Sequence, residues 1–106
     1  MQTLKTWAGR SEFSYEGSVS QGTTISYGKR NRTSVNITAS QYNALLNHFQ
    51  GRTVDIGTIR NNPPRGSVGE WLQANVTKPA TASYVGAVLI HEGYAVKLGS
   101  KIKFNS

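Results

Sequence analysis

The chain has 106 residues, of which 37% are hydrophobic, enough to fill one modest core but not two. Twelve Lys and Arg face five Asp and Glu, a formal charge of +7, and the absence of cysteine excludes disulfides, thiolate metal sites and cysteine nucleophiles together. No run approaches the roughly 20 apolar residues of a membrane-spanning helix and the first ten residues lack the apolar centre of a signal peptide, so the expectation is a cytoplasmic protein, nucleoid-associated if bacterial, with no membrane partner.

Residues 1–22 carry isolated aromatics (Trp7, Phe13, Tyr15) without helical period, and Glu12–Glu16 alternates like a strand, so this stretch reads as a short strand or a loosely attached arm. Thr24–Tyr27 and Ser34–Ile37 alternate on either side of a turn-forming, cationic segment that contains Lys29, Arg30 and Arg32, which predicts a hairpin with a basic tip. Thr38 is placed to cap a helix over 39–50, whose Tyr42, Leu45, Leu46 and Phe49 fall on one face before Gly51 ends it. A short strand at 53–56 and a loop around Pro63-Pro64 follow, since tandem prolines lack donors and bias their predecessors away from helix.

Ser67 and Glu70 have the spacing of a capping box for a second helix over 67–76, with Val68, Trp71 and Leu72 on its apolar side. Thr81 caps a third over 81–92, with Tyr84, Val85, Val88 and Leu89 as its stripe and Gly93 as its stop. Two alternating runs, Tyr94–Leu98 and Lys101–Phe104, close a hairpin over Gly99-Ser100. With Val96, Leu98, Ile102 and Phe104 taken as inward, the period of two sends Lys97, Lys101 and Lys103 to the outer face.

From residue 39 this order is helix, strand, helix, turn, helix, strand, wing, strand, and the segment from Ser67 to Phe104 resembles winged helix-turn-helix DNA-binding domains. The expected fold is therefore α+β: a winged-helix domain over 38–106, with three helices and a small antiparallel sheet, preceded by a β-rich arm over 1–37. The resemblance implies that the third helix enters the major groove of duplex DNA, presenting Thr81, Ser83 and Tyr84 to base edges or phosphates. Family members often supply Arg, Asn or Gln on that face and this helix has none, so weak discrimination between bases is expected. Lys78 in the turn, Lys97, Lys101 and Lys103 on the wing, and Lys29, Arg30 and Arg32 at the hairpin tip complete the expected contacts, with Arg60 and Arg65 nearby.

The expected role is a small regulator of transcription or a recognition module of a larger assembly, acting alone or as a homodimer. Two other roles stay open: docking of a partner protein, and RNA binding with Tyr15 and Tyr27 as stacking rings. An enzyme is not expected. His48 and His91 have no ligand spacing, Glu70 is claimed by a cap, Asp55 stands alone, and no phosphate loop or nucleophile elbow is present, so neither metal nor cofactor is implied. Asn31, Asn36 and Asn75 match the glycosylation pattern, which without a secretory signal carries no weight.

Overall fold

The computed structural model describes residues 1–28 and 32–105. At the N-terminal end β1 (Gln2–Lys5), β2 (Glu12–Ser18), β3 (Gly22–Tyr27) and β4 (Thr33–Thr38) pair antiparallel in chain order. The register sets Tyr15 opposite Ile25 and Thr23 opposite Ile37, so that Phe13, Tyr15, Ile25 and Ile37 share one buried face. The stretch read as a short strand or loose arm is thus two strands held in a sheet. Lys29 and Arg30, at the expected basic tip, lie outside the described residues; Arg32 is exposed at its base.

Helix α1 (Ala39–Phe49) starts at a full capping box: Thr38 Oγ1 accepts from Gln41 N at 3.0 Å, and Gln41 Oε1 accepts from Thr38 N at 2.9 Å. It buries Tyr42, Leu45 and Phe49, as the stripe requires, and Phe49 stacks on Phe104 with ring centroids 5.2 Å apart. Strand β5 (Thr53–Asp55) follows, then α2 (Val68–Asn75), α3 (Ala82–His91), β6 (Ala95–Leu98) and β7 (Lys101–Phe104). Strand β7 lies between β5 and β6 in a second antiparallel sheet. The fold is α+β, with three helices and two antiparallel sheets among the described residues.

Two caps differ from expectation. Ser67 accepts from Glu70 N at 3.1 Å, but Glu70 reaches back to Gly66 N at 2.8 Å, one residue earlier than a capping box requires. Thr81 precedes α3 in a conformation from which its side chain makes no capping bond.

The β6–β7 hairpin differs in phase from the expected wing. Because its turn has two residues, Leu98 stands opposite Lys101 and Val96 opposite Lys103, and paired residues share a face. Ile102 and Phe104 are buried, so their partners Lys97 and Ala95 belong to the inner face, while Val96 and Leu98 lie outside at 52% and 48% exposure. Lys97 is therefore not on the face of Lys101 and Lys103. Its ammonium donates to the Trp7 carbonyl and stands 5.1 Å from the Trp7 ring centre.

Helix α3 sits at the centre. Ala82, Val85, Gly86, Val88 and Leu89 are buried, and Ser83, Tyr84, Ala87 and Ile90 are half-buried. The four-stranded sheet covers one side: Tyr84 stacks on Tyr27 at 4.5 Å and meets Phe13 edge-on at 5.2 Å. Trp7 fastens the β1–β2 turn to the start of α3 and to the β6–β7 turn, with its backbone N–H on Ser83 O and its indole Nε1 on Gly99 O, each at 3.0 Å. At the far end of α3, Glu92 accepts from Tyr15 Oη at 2.7 Å and from Val19 N at 2.9 Å. One apolar core, from Trp7 to Phe104, joins the two sheets through this helix.

Candidate nucleic-acid interface

Of the residues expected to read bases, Thr81 is buried and Ser83 and Tyr84 are half-buried by the way α3 is packed. Thr81 is 1% exposed, and its hydroxyl is buried without a hydrogen-bond partner. The Tyr84 ring is held between Tyr27 and Phe13, and Ser83 is half-buried with its carbonyl on Trp7. Thr81 thus faces the interior and Tyr84 the N-terminal sheet, and of the three expected readers Ser83 alone keeps a partly accessible side chain without a described side-chain partner. The signal for this was in the composition: a helix apolar nearly all round is a buried helix. The rings proposed for RNA stacking are also engaged, Tyr15 in the core and one face of Tyr27 on Tyr84.

Charge is distributed differently from the sequence-based expectation. Lys101 forms an ion pair with Asp55 at 3.0 Å, both groups about half-exposed, and such a surface pair contributes little to stability. Glu70 and Glu92 are taken up by backbone and tyrosine donors, and Glu12 and Glu16 lie exposed on β2. Among the described residues Lys101–Asp55 is the one ion pair, which leaves the other exposed cations without a carboxylate partner. Four of them stand on segments tied to the β6–β7 turn or to the ends of the two helices that precede it. Arg10 is in the turn that Trp7 pins to Ser83 and Gly99. Arg60 and Arg65 belong to the loop that starts where Ile56 N meets Ser100 O; Gln73 of α2 holds the Arg60 carbonyl at 2.9 Å. Lys78 lies in the turn from α2 to α3. All four are exposed. Lys103 is two residues further down β7, opposite Thr53, away from the turn. Arg10 enters this group only through Trp7, whose bond to Gly99 spans 92 residues and is encoded by no local pattern.

Among the described residues no group of three His, Cys, Asp or Glu could hold a metal ion, and no helix is long and apolar enough to cross a membrane. His91 Nε2 lies 2.8 Å from Gln2 Oε1, and His48 packs edge-on against Phe49. Comparison with protein-family models, with curated proteins and with solved structures finds no match.

Three phenols are displaced upward from their ordinary value near 10. Tyr15 is raised by burial, then by the hydrogen bond and charge of Glu92. Burial pushes Tyr42 up to about 12 against the opposing bond from Thr23, and burial followed by Tyr27 raises Tyr84. A group whose folded value lies above its unfolded one contributes stability that is complete below the unfolded value and is lost as pH climbs toward the folded one. Stability is therefore expected to fall as pH rises above about 10, and Tyr15→Phe should make that fall shallower. Urea midpoints measured across this range test it; a flat profile would mean that the phenols are solvated.

Proposed function

We propose that this protein binds duplex DNA as a winged helix-turn-helix domain carrying an N-terminal four-stranded sheet, and that it holds the phosphate backbone without reading bases through its third helix. The support for the domain type is the order α1-β5-α2-α3-β6-β7 with a two-stranded wing. The observation that carries the function is the set Arg10, Arg60, Arg65 and Lys78, exposed and without carboxylate partners around the wing turn and the helix ends, with Lys101 beside them. Cations so placed neutralise phosphates and release counterions, which gives affinity with little dependence on sequence. Such a protein serves as a tolerant regulator or as the DNA-holding part of a larger assembly.

The test is binding to a random duplex over a salt series. Neutralising four or five phosphates predicts a log–log slope of about −3 to −5, and a slope near zero would overturn the reading. Replacing Arg10, Arg60, Arg65 and Lys78 with Gln should flatten the slope by roughly 0.9 for each phosphate no longer neutralised. The control replaces Arg32, Arg52, Lys103 and Lys5 with Gln and removes the same net charge. Equal effects from both sets would refute this placement, and preference for single-stranded RNA would refute the duplex as ligand.

A further inference from the structure

Strands β1 and β6 each form the edge of a sheet, so each has one side without a β partner among the described residues. Both run beside α3 in the same sense. Gln2 meets His91 at the C-terminal end of the helix and Trp7 meets Ser83 at the N-terminal end. Strand β6 leaves the C-terminal end of α3 at Ala95, and the turn after it reaches Trp7 through Gly99. Between them lies a groove of about 280 Å³ whose apolar part is Leu4, Trp7, Ala87 and Ile90. Lys5 and Lys97 line it as well, and no carboxylate does. Lys97 directs one hydrogen to the Trp7 carbonyl, and an ammonium has three.

We propose that this groove receives an extended peptide segment of an acidic partner protein, which pairs with the free edge of β1 and seats alternate apolar side chains on Ala87, Ile90 and Trp7. Three features select that occupant. A free strand edge supplies main-chain hydrogen bonds to an extended chain, and a period of two sends every second side chain to the floor. Lys5 and Lys97 favour carboxylates at the remaining positions. A duplex does not fit a groove of this size. A second copy is disfavoured because each chain carries +7, and of its carboxylates Asp55, Glu70 and Glu92 are already engaged within the fold.

The probe is a blocked six-residue peptide, Asp-Ile-Asp-Val-Asp-Ile, titrated into the whole protein labelled for NMR. Saturable binding is expected, with shifts confined to the Trp7 indole N–H, the backbone amides of Gln2–Lys5 and those of Ala87–His91. A peptide of the same composition with its three Asp in one block, and one with Lys in place of Asp, should each bind at least tenfold more weakly. Lys5→Glu reverses charge at the rim and Ala87→Gln fills the floor; each should weaken binding at least tenfold while the melting curve shows the protein folded. The Gln variant at Arg10, Arg60, Arg65 and Lys78 should bind the peptide as the parent does, so the two proposals fail separately. Absence of saturation, equal binding of the Lys peptide, or shifts centred on Val96 and Leu98 would overturn the proposal.

Discussion

Glu92→Ala is expected to lower the unfolding free energy by about 3 kcal/mol or more, since hydrogen bonds to a charged acceptor contribute ~1.5–3 kcal/mol each and the variant strands both donors. The carboxylate stands just past the C-terminus of α3, where the helix dipole disfavours an anion. What retains it there is its pair of partners, Tyr15 Oη of β2 at 2.7 Å and Val19 N of the turn that follows β2 at 2.9 Å. The phenol belongs to a residue 1% exposed, so losing its acceptor leaves a largely buried donor unpaired. Glu92→Gln keeps one acceptor oxygen and should cost about half as much. Chemical denaturation measures both; an unchanged midpoint in the alanine variant would mean that the sheet is not anchored at this residue.

Gly69→Ala should be the more severe change, at ~3 kcal/mol or beyond, although alanine is worth about 1 kcal/mol more than glycine inside a helix. An added Cβ would stand 1.8 Å from the Gly57 carbonyl oxygen and 2.8 Å from its carbon, both of them backbone. The loop cannot yield independently: Gly69 N donates to Ile56 O at 2.9 Å, and Ile56 N donates to Ser100 O at 3.0 Å, so displacement reaches the β6–β7 turn. Gly86→Ala is the internal comparison. There the Cβ meets the Ile56 methyl at 2.7 Å and the Trp7 ring at 2.8 Å, side-chain atoms that shift more readily than a carbonyl, and the destabilisation should be smaller. A larger effect at Gly86 than at Gly69 would show that the loop moves more freely than the Trp7 ring.

The helices were legible because their information is local. Tyr42, Leu45 and Phe49 recur at helical spacing, and Thr38 and Gln41 carry their cap within four residues. Strands β6 and β7 were legible as strands but not in phase. Two alternating runs, Val96 with Leu98 and Ile102 with Phe104, both ask for the inside, and a two-residue turn allows only one of them. Strand β7 wins because it is the central strand and its Phe104 stacks on Phe49; β6, at the edge, gives up its apolar pair to solvent and turns Lys97 toward Trp7. Trp7 itself could not be placed from its neighbours, since its partners Ser83, Lys97 and Gly99 are fixed only when the whole chain is folded. The same distance hid the candidate interface: the cations were countable, but which ones share a surface depends on those long-range bonds.

The clasp of the N-terminal sheet on α3 also bears on how the protein is made. Strands β1 to β4 leave the ribosome well before α3, which packs on their apolar face, and before the Glu92 that anchors them to it. At about 5–20 residues per second the gap between Tyr15 and Glu92, 77 positions, lasts roughly 4–15 s. Throughout that interval Phe13 lacks the Tyr84 ring that packs on it and Tyr15 lacks its Glu92 acceptor, and the packing that will close the core spans most of the chain and forms slowly. The nascent chain is therefore most prone to aggregate just before α3 emerges, which makes the completion of that helix the step that commits the sheet to its native packing.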